Sequence, residues 1–293
     1  MGFEPTVLVI GSGGMKVFAF LGALLILEQQ QFLKKITTFC GTSAGSLLSL
    51  MLISNFTVTE IIEEALETGH LFNDISSISF TNIRKNMGIL DHEIFRKKLS
   101  QKMEKKFGCC PTMQQLYMFT GLKFVSVTMN IDREQPVYLS HETEPNLSCV
   151  DAVLLSINIP GLFYELRYKT ERHIDGAFGC PYAVDLFDDG KTDIIGISVG
   201  SKVEFLDKDP SSQKKYFDSN SALEYLYKTL TISITQLKRN AIKRSSERVW
   251  NIELCSDVRD VTGVSLGIKE KAEMISCGFG TAKQFLASRG VYN

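Results

Sequence analysis

The chain of 293 residues is long enough for one large domain or two ordinary ones. With 44% hydrophobic and 22% charged residues it is composed like a globular protein with a sizeable core. A formal net charge of -1 gives no broad field for nucleic acid or an anionic membrane, and seven scattered cysteines without a C-x-x-C pair argue against a disulfide framework or a zinc ribbon.

The first residues, "MGFEPTVLVIGSGG", lack the basic start and apolar stretch of a secretory signal. "MGFEPT" fits the Met-Gly-x-x-x-Ser/Thr pattern for myristoylation, although a strand begins almost at once. "TVLVI" (6–10) predicts a buried strand, and "VFAFLGALLILEQQQ" (17–31) a helix whose apolar run is about half of what a bilayer span needs. "KITTF" (35–39) predicts a second strand and "AGSLLSLMLI" (44–53) a second helix. Strand, helix, strand, helix, with strands apolar throughout, implies a parallel sheet covered on both faces. "TVTEIIEEALET" (57–68) and "LDHEIFRKKLSQKMEKKF" (90–107) read as helices, the latter capped by Asp91 and packed through Ile94, Phe95, Leu99, Met103 and Phe107. Its lysines 97, 98, 102, 105 and 106 form a solvated face. Strands are expected at 122–131, 136–140, 192–200 and 249–254. A long helix over 221–248 places Leu223, Leu226, Leu230, Ile234, Leu237 and Ala241 on one face, and its basic residues Lys238, Arg239, Lys243, Arg244 and Arg248 read as a solvated end rather than a face toward anionic lipid. A closing helix spans 270–290, weakened by Gly278 and Gly280. The reading is of a cytoplasmic protein with reduced thiols, peripheral to membranes at most.

Three short motifs bear chemistry. In Gly41-Thr42-Ser43-Ala44-Gly45 a serine stands between two glycines, at the junction of a predicted strand and helix. A sharp turn there strains the serine backbone and needs glycine on either side to remove colliding Cβ atoms. Ser43 is then either a nucleophile at a helix N-terminus or simply a glycine-flanked cap. A nucleophilic hydroxyl needs a base. Of the histidines, His70 and His92 fall in or near helices, His141 in a turn, and His173 in "RHIDGAFG" beside Asp175. Asp175 ends an extended segment before two small residues, and reads either as a base able to accept the serine proton or as an Asp-Gly turn. "GSGGMKV" (11–17) follows the first strand. It lacks the third glycine and the distal acid of a dinucleotide loop, and the spacing of a P-loop. What remains is a tight connection, or a loop of bare amides able to stabilise an oxyanion.

Taken in order, "SGGMKV" (12–17), "GTSAG" (41–45) and "DGA" (175–177) resemble the patatin-like phospholipase family, whose pattern is G-G-G-x-[KR]-G, then G-x-S-x-G, then D-G-[GA]. "GILDHEIFRKKL", "LKFVSVTMNIDREQPVYL" and "VDAVLLSINIPGLF" (150–163) add to the likeness, which covers roughly residues 6–200. The resemblance implies an α/β fold, a three-layer α/β/α sandwich with a mostly parallel central sheet. The expected organisation is one domain over 1–293, with a motif-bearing core at 6–200 and residues 201–293, which the resemblance does not reach, as a helical extension of the same domain. The resemblance matches Ser43 to a nucleophile, Asp175 to its partner carboxylate, and Gly13, Gly14 and Met15 to an oxyanion loop, with Ser12, Lys16, Gly41, Gly45 and Gly176 in support. The implied reaction is hydrolysis of fatty-acyl esters of phospholipid or another acyl lipid, at most with peripheral membrane contact, without metal, cofactor or nucleic acid. Ser12 and Val17 depart from the loop pattern, and a β-branched Val17 resists positive φ. Two alternatives stand beside this: a catalytically weak relative that binds lipid or a protein, and a Ser–His–Asp esterase using His173. Phe18, Phe20, Phe163 and Tyr164 are apolar enough to line an acyl pocket or simply to fill the core.

Overall fold

A computed structural model describes residues 3–67, 86–200, 222–255 and 266–291, without the side chains of 222–228 and 230. The myristoylation pattern at Met1 and Gly2, His70, and the side chains of Leu223, Leu226 and Leu230 lie outside the described residues. Eight strands form one sheet: β1 (Val7–Ile10), β2 (Thr38–Thr42), β3 (Lys123–Asn130), β4 (Gln135–Leu139), β5 (Leu166–Tyr168), β6 (Glu171–Asp175), β7 (Ile194–Gly200) and β8 (Val249–Cys255). Their order is β5-β6-β3-β2-β1-β7-β8, with β4 also paired to β3. The central pairs are parallel; β4, β5 and β6 run antiparallel at one side.

Alternation along the strands divides the core in two, because successive side chains leave a strand on opposite faces. Leu8, Ile10, Phe39, Phe124, Ile195, Ile197, Ile252 and Leu254 enter one cluster. Val7, Val9, Cys40, Val125, Val127, Ile194 and Val249 enter the other. On the first face lie α1 (Val17–Gln29), α2 (Ala44–Ile53), α3 (Val58–Glu67), α4 (Glu93–Phe107), α5 (Met113–Thr120), α6 (Cys149–Ser156) and α8 (Ile268–Ser288). The second face is covered by a 3₁₀ turn at Ala183–Leu186 and by α7 (Ala222–Arg244) through Ala241 and Ile242. Helices thus sandwich a mostly parallel sheet.

α1 is apolar almost all round, and nine of its residues are buried. Such a helix needs cover on the side away from the sheet, which α8 provides. A Cβ on Gly22 would strike the backbone of Ile275, and one on Gly278 the carbonyl of Ala19, so the two glycines set the close approach of these helices.

Some elements differ from the sequence reading. β2 begins at Thr38 rather than 35, because Phe32–Lys35 closes a 3₁₀ turn entered through Gln31 in the left-handed region (φ 62°). Asp91 accepts the Glu93 amide at 3.0 Å, yet the residue preceding α4 is His92. Ile94 and Leu237 are exposed, since their helices are rotated to bury Leu99 and Met103, and Ala241, instead. The helices α5 and α6 and the strand β5 had no counterpart in that reading, and β6 appeared there only as an extended segment ending at Asp175. β5 and β6 carry "LRY" and "ERHID", an antiparallel edge too charged to look like the central strands. No helix among the described residues is long and apolar enough to cross a membrane.

Candidate active site

Ser43 occupies the turn between β2 and α2 at φ 57°, ψ -126°. A positive φ at a non-glycine residue costs on the order of 1–3 kcal/mol and persists only where its surroundings over-determine it. The flanking glycines provide the space. A Cβ on Gly41 would collide with the Gly45 carbonyl, and one on Gly45 with the carbonyls of Ile10 and Gly11. Buried polar groups then hold the strained peptide. The Ser43 amide donates to Ser156 Oγ at 2.9 Å, and Ser156 Oγ donates to the Val127 carbonyl at 2.5 Å. The Ser43 carbonyl accepts the Ser46 amide at 2.8 Å. Nearby, the Ser46 and Ser126 hydroxyls lie 2.6 Å apart, and Ser126 donates to the Ala152 carbonyl at 2.8 Å. A layer of small hydroxyls thereby ties α2, β3 and α6 together beneath the turn.

β3 aligns the two halves of the site. Thr42 pairs with Val127, and Asp175 pairs with the next residue, Thr128. The end of β2 and the end of β6 therefore meet along β3, and Ser43 Oγ donates to Asp175 Oδ2 at 2.5 Å across 132 positions of sequence. Asp175 is fixed from both sides. Its Oδ1 accepts the Ala177 amide at 2.8 Å, and its own amide donates to the Asn158 carbonyl at 2.7 Å. Asn158 Nδ2 in turn donates to the His173 carbonyl at 2.7 Å. Gly176 is required by contact, since a Cβ there would strike the Val127 carbonyl. Ser43 is 5% exposed and Asp175 2%. Burial pushes the Asp175 carboxyl up to about 7, against the lowering effect of the bonds from Ser43 and Ala177. The pair is thus a hydroxyl in short contact with a carboxyl poised to exchange a proton near neutrality.

The glycine loop leaves β1 beside this turn. Its Gly11 amide donates to Ile197 O at 2.9 Å, Ser12 to Pro181 O at 2.8 Å, and Lys16 to Gly13 O at 3.0 Å. The amides of Gly13 and Gly14 make no hydrogen bond among the described residues. Gly14 has φ 51°. The Gly13 Cα faces the Phe20 ring so closely that a Cβ there would overlap it. Gly14, Met15 and Lys16 form a 3₁₀ turn that runs into α1. Val17 is the first residue of that helix, at φ -49°, ψ -32°, so its departure from the family pattern introduces no backbone strain. Ser12 is buried and small enough for its place. The Ser43 amide is already engaged by Ser156 Oγ, which leaves the loop amides as available donors.

Other candidates lie elsewhere. His173 is buried on β6, edge-on to Tyr168 at 6.3 Å, and His92 stacks on Phe163 at 4.9 Å. His141 stacks on Tyr117 at 3.9 Å. Among the described residues, the carboxylate of Asp175, and no histidine, is hydrogen-bonded to Ser43 Oγ. Phe18, Phe20 and Phe163 are core residues, and Tyr164 is half-buried. Lys238 is not on a solvated face: its Nζ donates to Ser12 O at 3.2 Å and Val199 O at 2.8 Å. Arg244 pairs with Asp185, and Arg248 with Asp193 at 3.1 Å. A cleft of about 380 Å³ lies against Ser148, Asp151, Leu155 and Tyr168, and neither Ser43 nor Asp175 lines it. No three His, Cys, Asp or Glu side chains among the described residues are grouped to hold a metal ion. Ser156, Asn158 and Lys238 were not singled out for the site from sequence. Ser156 and Asn158 fall inside "VDAVLLSINIPGLF", where nothing local distinguishes them.

A family model described as patatin-like phospholipase matches residues 8–187. The chain is 26% identical over 181 residues to "Probable lipid hydrolase 463L" of Invertebrate iridescent virus 6, which spans 61% of this chain and 62% of that protein. The chain thus matches less than two thirds of that relative's length. "Uncharacterized protein R571" of Acanthamoeba polyphaga mimivirus is 23% identical over 285 residues, covering 94% of this chain and 92% of its own. Among solved structures, VipD from Legionella pneumophila superposes with a TM-score of 0.56 at 15% identity, over 97% of this chain and 67% of VipD. ExoU of the Pseudomonas aeruginosa type III secretion system, solved with SpcU, gives 0.52 at 16% identity over 98% of this chain and 53% of ExoU.

Proposed function

The chain belongs to the patatin-like phospholipase family, and on that premise we propose that it is a lipid acyl hydrolase of the phospholipase A type, acting through a Ser43–Asp175 dyad. One observation carries the reading: a strained serine at a helix N-terminus donates a 2.5 Å hydrogen bond to a buried carboxyl poised near neutrality. Asp175 accepts the proton as Ser43 Oγ attacks the ester carbonyl. The Gly13 and Gly14 amides receive the negative charge that forms on the carbonyl oxygen. The tetrahedral species collapses, Asp175 returns its proton to the departing alcohol, and an acyl-serine remains. Water then gives its proton to Asp175 and attacks the acyl carbon, a second tetrahedral species collapses, and Ser43 recovers the proton as the fatty acid leaves. Substrates are phospholipids or other acyl lipids, met at a membrane surface by peripheral contact.

Two observations weigh against the competing readings. Val17 lies unstrained in a helix, so the altered glycine loop gives no ground for a weakened relative. His173 is buried and makes no hydrogen bond to Ser43, which disfavours a histidine triad. A fluorophosphonate lipid analogue tests all three readings. Wild type and His173→Ala should label on Ser43, Ser43→Ala should not, and Asp175→Asn should label at least 10²-fold more slowly. Equal labelling of wild type and Ser43→Ala would reject the mechanism.

A further inference from the structure

The basic end of α7 was expected to face solvent, yet Lys238 reaches inward to the glycine loop. Its ammonium bridges two carbonyls, Ser12 O at 3.2 Å and Val199 O at 2.8 Å. Val199 belongs to β7, the strand beside β1. Lys238 therefore pins the loop to the sheet from a helix more than 200 positions later in sequence.

The Ser12 carbonyl shares a peptide plane with the Gly13 amide. No cis peptide is present among the described residues, and in a trans peptide the C=O and N–H point in opposite directions. Whatever holds the Ser12 oxygen therefore fixes the direction of the Gly13 N–H, which faces away from Lys238. A cation on the carbonyl oxygen also polarises the amide, since hydrogen bonds through one peptide strengthen each other. The rest of the loop leaves this peptide as the adjustable one. The Ser12 amide is bound to Pro181 O, and the Gly13 carbonyl to the Lys16 amide, on either side of it. The Gly13 amide itself makes no hydrogen bond among the described residues. Gly13 has no Cβ to restrict its φ and ψ, so its own preferences do not set the plane.

We propose that Lys238 is a positioning residue of the oxyanion loop: by holding the Ser12 carbonyl it aims and polarises the Gly13 amide toward the oxygen that becomes negative. The inference rests on the hydrolase reading above for its kinetic consequence, while its structural consequence stands by itself. It also gives the segment beyond residue 200 a part in the chemistry, supplied by a single ammonium group.

The test compares wild type, Lys238→Met and Lys238→Arg. Methionine keeps most of the reach and loses the charge; arginine keeps the charge and two or more donors. With p-nitrophenyl octanoate, Lys238→Met should lower kcat by about tenfold or more, as a weakened form of the 10²- to 10³-fold cost of deleting an oxyanion donor. KM should stay within about twofold, because the ground-state carbonyl gains little from that amide. Fluorophosphonate labelling of Ser43 should slow in parallel, and Lys238→Arg should recover part of both rates. Independently of turnover, ¹⁵N-glycine labelling should show the Gly13 amide resonance displaced in Lys238→Met. Unchanged kcat in folded Lys238→Met, or an unmoved Gly13 resonance, overturns the proposal. If wild type neither turns over the ester nor labels, the hydrolase reading fails, and the Gly13 resonance alone decides whether Lys238 holds the peptide. Should Lys238→Met not fold, Lys238→Leu, which likewise offers no donor, takes its place with the same outcomes.

Discussion

Asp175 joins structure to chemistry through a single titration. Its carboxyl is almost fully buried, and burial raises it to about 7 despite two hydrogen bonds that favour the anion. In the proposed mechanism only the ionised form accepts the Ser43 proton, so kcat/KM should rise with pH through about 7 and fall about tenfold per unit below it. A pH–rate profile flat from 5 to 8 would contradict the assignment. The same group leaves a mark on stability. Between about pH 4 and 7 the unfolded chain releases this proton while the folded chain keeps it, so the carboxyl makes the fold less stable as pH rises. Asp175→Asn removes that penalty. It should raise stability in urea by on the order of 1–4 kcal/mol at pH 8, with the gain disappearing near pH 3, while activity is lost. At this scale the sequence was uneven. Ser43 and its glycines were legible because their reason is local: a turn that tolerates no Cβ two residues either way. The residues left Asp175 as either a base or an Asp-Gly turn, and its partnership with Ser43 was assigned only through resemblance, because β3 creates it by aligning strands 132 positions apart. Ser156 and Lys238 act entirely through long-range contacts, one with the Ser43 amide and one with the Ser12 carbonyl. No sequence spacing encodes either.

At the scale of elements, the closing helix shows why a glycine in a helix pattern can mislead. Gly278 and Gly280 both weaken the propensity of α8, yet their surroundings differ. A Cβ on Gly278 would drive into the Ala19 carbonyl of α1, whereas one on Gly280 meets nothing within 4 Å. Intrinsic propensity alone favours alanine at either position by up to about 1 kcal/mol. Packing should reverse the sign at one of them. Gly278→Ala is expected to destabilise by about 1–3 kcal/mol as α1 and α8 are forced apart, and Gly280→Ala to be neutral or stabilising. Chemical denaturation of the two variants side by side decides it; equal shifts of the same sign would remove the argument for close packing. The central strands and α1 and α2 were read within a few residues from apolar runs and their lengths, since those segments are buried on nearly every side, whereas α3 was read from its opening threonines and acidic residues. β5 and α6 were missed, and β6 was seen only as an extended segment before Asp175, for the opposite reason. β5 and β6 are short and charged, and α6 is an eight-residue apolar stretch that periodicity does not separate from a strand.

For the whole molecule, the question is what the last third contributes. The family model ends at residue 187, before two strands of the sheet and the helix that covers α1 have been formed. We read residues 201–293 as part of the same folding unit. β8 pairs with β7 at seven consecutive positions, from Ile194 with Val249 to Gly200 with Cys255. Trp250 of β8 stacks on Phe3 at 3.6 Å, so the start of the described chain packs on the last strand. α8 buries Met274, Ala282 and Leu286 on the same face as α1. Ending the chain after Gly200 would expose the edge of a fully buried strand, an unpaired row of amides and carbonyls open to aggregation. It would also expose the outer side of α1, whose residues are apolar nearly all round. The expected product is a chain that retains far-ultraviolet ellipticity, loses near-ultraviolet signal, binds a hydrophobic dye and melts without a cooperative transition. A truncated protein that is monodisperse and melts cooperatively would place the folding unit within the first 200 residues. The C-terminal helices would then be an appended layer, and Lys238 a late addition to a loop already able to hold its own shape.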